Sequence, residues 1–287
     1  MASPLSGRTL EESLQSLVAK TLAAARAVAL AMPPKTGRAR LPRVAVRPLA
    51  RARWVTKAAN SLLNAQEEGI AGRLVGRMIR RSVRHRFHTV YWDRPGVEIQ
   101  PPAILVPNHH GWFDGYLMFH AVQALGLRTV DWIQEFDAFP LFAKIGGMPY
   151  PVNDPTRRAR TVKRTIRLMR EERRSLLLFA EGHLHYPQDL LPFGRSLETV
   201  AGKVPEAQIF PVAIHYEMAI HERPEAFISF GTPIEHGEAL SSRARDAVAA
   251  HLTELRERVR SDASGFEVLV HGTKDVNERW DMRRMRQ

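Results

Sequence analysis

From Pro95 onward the chain alternates between two periodicities, and that alternation restricts the folds open to it. Short apolar runs at Ala103 to Val106, Thr129 to Ile133, Leu176 to Ala180 and Ile209 to Ile214 read as strands. Between them lie segments with helical spacing, about Asp114 to Leu125 and the basic stretch Pro155 to Glu172. Strands with near-continuous apolar character, alternating with helices, build an α/β domain around a mostly parallel sheet. A last amphipathic helix is predicted over Gly237 to Val259, with Leu240, Val248, Leu252, Leu255 and Val259 on its buried side. The expected fold is therefore α/β: a mostly parallel central sheet flanked by helices, preceded by a basic amphipathic helical region.

That first region has a different texture. Met1 to Arg94 carries 18 Lys+Arg against 5 Asp+Glu, whereas the remaining 24 and 25 nearly cancel. Leu10, Leu14, Leu17, Val18 and Leu22 recur at helical spacing, and Pro33 and Pro34 end the pattern. A second helical region is predicted from about Trp54 to Phe87, with Arg73, Arg77, Arg80, Arg81 and Arg84 as a stripe beside Ile70, Leu74, Met78 and Ile79. Residues 1–95 are accordingly expected to form a basic, membrane-facing helical region, and residues 96–287 the α/β domain.

The surplus of positive charge calls for an anionic partner, either acidic lipid headgroups or nucleic acid. Aromatic residues are not interleaved with the basic run, and zinc-finger and helix-turn-helix patterns are missing, so nucleic acid is not the expected partner. The apolar stretch Leu14 to Met32 is broken by Lys20 and Arg26, too short for about 20 clean apolar residues, and the first residues do not form a signal peptide. The expectation is a cytoplasmic protein lying on the membrane surface. Without cysteine, thiolate nucleophiles and Cys-ligated zinc are excluded.

The chemistry concentrates in Pro107-Asn108-His109-His110-Gly111-Trp112-Phe113-Asp114, directly after a predicted strand. In α/β sheets ligands gather where strands give way to helices. A turn there lets the Asp114 carboxylate hold one imidazole nitrogen of His109 as donor, leaving the other free to take a proton from a hydroxyl. Such a pair is the base and orienter of a triad without an enzyme nucleophile. His88 and Asp93 have the same spacing, but they lie in a strand-like stretch where residues five apart face opposite ways.

Further blocks follow in order: Phe139-Pro140 through Gly146-Gly147 to Arg157, then Phe179-Ala180-Glu181-Gly182, then Pro192-Phe193-Gly194-Arg195, then Phe210-Pro211-Val212-Ala213-Ile214. With Asn108-His109 to Asp114 they make the segment from about Pro102 to Ile214 resemble the glycerolipid acyltransferase family, which includes the 1-acylglycerol-3-phosphate acyltransferases. The resemblance implies O-acyl transfer from acyl-CoA or acyl-carrier protein to a hydroxyl of a lipid-like acceptor, with no other cofactor and no metal. It implies His109 as general base and Asp114 as its orienter. Substrate binding would fall to Asn108, Gly147, Arg157 (or its neighbour Arg158), Glu181, Gly182 and Pro211.

One position departs from the family pattern. After Glu-Gly the family has Thr-Arg-Ser, where this chain has His183-Leu184-His185. Leucine cannot donate to a phosphate, so a glycolipid, another lysophospholipid or a related hydroxyl acceptor becomes the expectation. The competing expectations are a metal-dependent hydrolase built on His109, His110, Asp114, His183 and His185, and a basic nucleic-acid-binding protein.

Overall fold

A computed structural model describes residues 69–186, 189–218 and 221–280. The first amphipathic segment and most of the basic region lie outside the described residues. In chain order the elements are α1 (Gly69–Arg86), β1 (Thr89–Asp93), β2 (Ala103–Pro107), α2 (Asp114–Ala124), β3 (Thr129–Ile133), β4 (Gly147–Pro149) and α3 (Pro155–Glu172). They continue with β5 (Ser175–Leu177), α4 (Ser196–Ala201), β6 (Gln208–Glu217), β7 (Glu225–Phe230), α5 (Leu240–Ser261), β8 (Glu267–His271) and α6 (Val276–Arg279). Two short 3₁₀ turns, Phe136–Ala138 and Pro140–Ile145, join β3 to β4.

The strands form one eight-stranded sheet in the order β4-β3-β5-β2-β6-β7-β1-β8. From β4 across to β6 every neighbour is parallel. β7 then runs antiparallel to β6, β1 parallel to β7, and β8 antiparallel to β1. The expected α/β fold with a mostly parallel sheet is what the chain adopts. Because β1 is a full member of the sheet, the sheet begins ahead of the boundary expected at residues 95 and 96.

β2 is buried at all five positions, as a central strand covered on both faces must be. Ile104 and Val106 join Ile209 and Ala213 of β6 in one core with Leu168 and Met169 of α3 and Leu197 and Val200 of α4. The residues that alternate with them, Leu105, Phe210 and Ile214, are buried on the other side of the sheet. α5 contributes Leu240, Val248, Leu252, Leu255 and Val259 to the first core, the stripe its spacing predicts. α3 starts on Pro155 with Asp154 as N-cap, whose carboxylate accepts the Arg157 N–H at 2.8 Å.

α1 packs through a narrow face. Its buried face is Gly72, Val75, Gly76, Ile79 and Val83, whereas Ile70 and Leu74 remain exposed beside the arginines. Two glycines, Gly72 and Gly76, lie on that buried face with Val75, Ile79 and Val83. β5 is also shorter than the run Leu176 to Ala180: Leu178 still donates to Leu105 O at 2.9 Å, and the chain then turns. Among the described residues no helix is long and apolar enough to cross a membrane.

Candidate active site

The site is assembled at the C-terminal ends of β2, β5 and β6. β2 ends on Pro107, and the next residue is anchored by the neighbouring strand. Asn108 is fully buried, its Oδ1 accepting Ile214 N at 2.7 Å and its Nδ2 donating to Ile214 O at 3.1 Å. A carboxamide here imitates one more residue of backbone pairing and satisfies both groups of β6 after the strand itself has stopped. Asn108 is thus a support for the turn, and it also lies 3.4 Å from His110 Nδ1.

His109 and Asp114 meet. The imidazole Nδ1 stands 3.0 Å from Asp114 Oδ2, and the same oxygen accepts Gly111 N at 2.8 Å. Asp114 is fully buried, yet it is no helix cap: Phe113 is the N-cap of α2 and the carboxylate points back into the turn. Its other oxygen, Oδ1, accepts the hydroxyl of Tyr216 at the far end of β6. A carboxylate bonded by three donors has its rotation fixed. The ring of His109 rests against Phe179 with centroids 4.3 Å apart, and its side chain keeps 23% exposure. The Nε2 atom has no hydrogen-bond partner among the described residues, so it is available to a reactant.

Glu181 closes the arrangement from β5. A turn that ends with Gly182 N donating to Phe179 O at 3.0 Å brings the side chain inward, and Gly182 takes φ +80, a conformation that suits glycine. The carboxylate accepts His109 N at 2.7 Å through Oε1, and Leu191 N at 2.9 Å and His185 Nε2 through Oε2. Gly182 O in turn accepts the Gln134 side chain. Glu181 therefore fixes the main chain of His109.

The remaining expected site residues are placed differently. Gly147 begins β4, and an added Cβ there would come within 2.9 Å of Ile133 and Phe142, so close packing demands the glycine. Pro211 lies buried in β6 opposite Val106, and its carbonyl accepts Gly231 N at 2.9 Å. Arg157 is engaged in a two-pronged pair with Asp137 at 2.6 and 2.7 Å, which holds the Asp137 carboxyl below the usual carboxylate range. Arg158 lies over the Tyr150 ring at 5.9 Å. His183 and Leu184 are exposed, and only His185 turns back to the site.

Several neighbours were not legible in the spacing. Tyr216 lies near the end of β6, past its plain apolar run, and nothing at sequence level links it to Asp114. Asp131 on β3 is a second acid near the imidazole; burial pushes its carboxyl up to about 7, against a smaller lowering by His109. His110 packs edge-on to His185 with centroids 4.8 Å apart, and burial lowers its basicity. His110, Glu181 and His185 have ligand atoms within 4.8 Å of one another, a set able to hold a metal ion, as have His88, His221 and Asp275. The set expected for a hydrolase is not the one that converges: His183 stays outside, and Asp114 is already bonded by three donors.

His88 and Asp93 do not meet. His88 stacks on His221 at 3.4 Å between ring centroids, whereas Asp93 pairs with Arg258 at 2.6 Å.

A family model described as acyltransferase matches residues 79–215, which takes in every element of this site apart from Tyr216. That segment is similar to the acyltransferase family. The fold is similar to the crystal structure of the 1-acyl-sn-glycerophosphate (LPA) acyltransferase PlsC from Thermotoga maritima, at 17% identity and a TM-score of 0.51, over 72% of this chain and 85% of that one. No curated protein matches the sequence. The His-x4-Asp block from His109 to Asp114 is thus a bonded pair, and the Glu181-Gly182 block holds the group that secures the histidine backbone.

Proposed function

We propose that the protein moves a fatty acyl group from an acyl thioester, acyl-CoA or acyl-carrier protein, to a hydroxyl of a lipid-like acceptor. The observation that carries the reading is the 3.0 Å contact between His109 Nδ1 and the buried Asp114 carboxylate, with Nε2 open. His109 Nε2 takes the hydroxyl proton as the oxygen attacks the thioester carbonyl. The C–O bond forms, the C–S bond breaks, and the imidazolium returns its proton to the departing thiolate. Asp114 keeps Nδ1 protonated and stabilises the charge that appears on the ring. No enzyme nucleophile and no metal take part.

Two observations bear on the acceptor. Leu184 stands where the family carries an arginine, and Arg157, the other cation expected to meet a phosphate, is already paired with Asp137. Both favour an acceptor whose reacting end is uncharged, such as a glycolipid or a related hydroxyl lipid. Trp112, Leu184, Tyr186 and Met218 are large exposed apolar residues on loops that leave the site edge of the sheet. With Ile70, Leu74 and the arginines of α1, they support peripheral attachment to an anionic, cytoplasmic membrane surface.

The test is thiol release by the purified protein, with palmitoyl-CoA and then palmitoyl-acyl-carrier protein, against phosphorylated and unphosphorylated lipid acceptors. Acceptor-dependent release that His109→Ala abolishes is expected. Release that ignores the acceptor, or that survives His109→Ala, sinks the proposal. A bound metal required for activity would instead favour hydrolysis at the His110, Glu181 and His185 set.

A further inference from the structure

We infer that Tyr216 is a positioning residue for the His109–Asp114 pair: its hydroxyl holds the carboxylate in the one rotation that serves the imidazole. The inference rests on the proposed role of that pair.

Asp114 divides its oxygens. Oδ2 takes His109 Nδ1 at 3.0 Å and Gly111 N at 2.8 Å, and Oδ1 takes the Tyr216 hydroxyl. Without that hydroxyl, Oδ1 is a charged oxygen on a fully buried residue with no donor. Rotation of the carboxylate toward another partner would then compete with the His109 contact, because an unpaired buried charge is costly.

The surroundings are built for the ring. A Cβ at position 111 would clash with Tyr216 Cε2, Cζ and Oη, so the glycine leaves the space that the phenol occupies. Phe87 stacks on Tyr216 at 5.8 Å, and Phe113 meets Phe87 edge-on at 5.4 Å. Burial, and then the Asp114 charge, raise the Tyr216 hydroxyl well above its ordinary range, which keeps it a donor at every working pH. The other titratable or charged groups that act on this turn are Glu181, His110, His185, Asp131 and Arg256. None of them bonds Oδ1.

Tyr216→Phe removes the oxygen and keeps the ring. In full-length protein labelled with 15N-histidine, the Nδ1–H resonance of His109, identified by its loss in His109→Gln, is expected to shift or broaden. In the palmitoyl-CoA assay kcat is expected to fall roughly 10- to 100-fold, by analogy with the loss of a group that orients a metal-bound histidine, with little change in KM. Gly111→Ala is expected to disturb the same resonance by displacing the ring, and serves if Tyr216→Phe folds poorly. An unmoved resonance with full kcat, or a rise in KM alone, overturns the inference. Should His109→Ala retain transfer, the reaction proposed above fails instead, and the resonance still decides whether Tyr216 orients the pair.

Discussion

The carboxylate of Glu181 accepts the main-chain N–H of His109 at 2.7 Å, so a residue on the turn after β5 sets the backbone of the turn after β2. Two separate sequence blocks are thereby one mechanical unit. The same carboxylate also accepts Leu191 N and His185 Nε2, and its side chain is fully buried. A buried acid with three donors is oriented as firmly as a backbone group, and its loss leaves those donors unpaired.

Glu181→Gln tests this. The amide presents one oxygen and one NH2, so at least one of the three donors faces another donor. We expect thermal stability to fall by roughly 1 to 3 kcal/mol, the usual cost of an unsatisfied buried group. Transfer should weaken more than lipid binding, measured as kcat against KM.

Asn108→Ala removes both bonds to Ile214. Two buried backbone groups of β6 then lose their partners, and about 2 to 4 kcal/mol of stability should go with them. Chemical denaturation measures the loss. A variant as stable as the parent would show that β6 repairs its own edge.

Arg157 is paired with Asp137, and the pair is exposed on the carboxylate side. Such pairs contribute little to folding. Asp137→Asn should therefore leave stability unchanged while freeing the guanidinium. If Arg157 meets a phosphate on acceptor or donor, KM for that substrate should drop in the variant, and Arg157→Ala should reverse the gain.

Acid stability has two opposed contributors. Burial, together with the Arg80 charge, lowers His120 to about 3, so unfolding takes up a proton there below about 6.5. Its contribution is present at neutral pH and is lost as pH falls, by at most about 1.4 kcal/mol per pH unit. Asp131, raised to about 7, acts the other way: its contribution is full below the ordinary carboxylate range and is lost as pH rises toward 7. Melting temperatures at pH 5 and 8 separate them. His120→Leu should gain most at pH 5, and Asp131→Asn most at pH 8.

The parts of the fold that the sequence disclosed are those where one periodicity dominates. β3 and α3 begin and end where their apolar run and basic helix do, because Pro155 and Asp154 punctuate one and the apolar stretch Thr129 to Ile133 is self-contained. β7 and β8 were not anticipated. β8 is an edge strand with exposed Glu267 and Val268, so its pattern carries little signal. At the site, His109 and Asp114 are readable because both lie in one turn. Their remaining partners arrive through space. Glu181 could be placed near them by its block, but that it bonds a backbone N–H depends on the turn through Gly182, and Tyr216 has no local signature at all.

The hydroxyl that secures Asp114 lies 102 positions further along the chain, on the strand that also receives Asn108. A nascent or truncated chain that stops short of β6 would contain the whole His-x4-Asp block and still lack the group that steadies it. On the proposed reading, full turnover then waits for the sheet to close around β6, and turnover would report completed topology rather than a local turn.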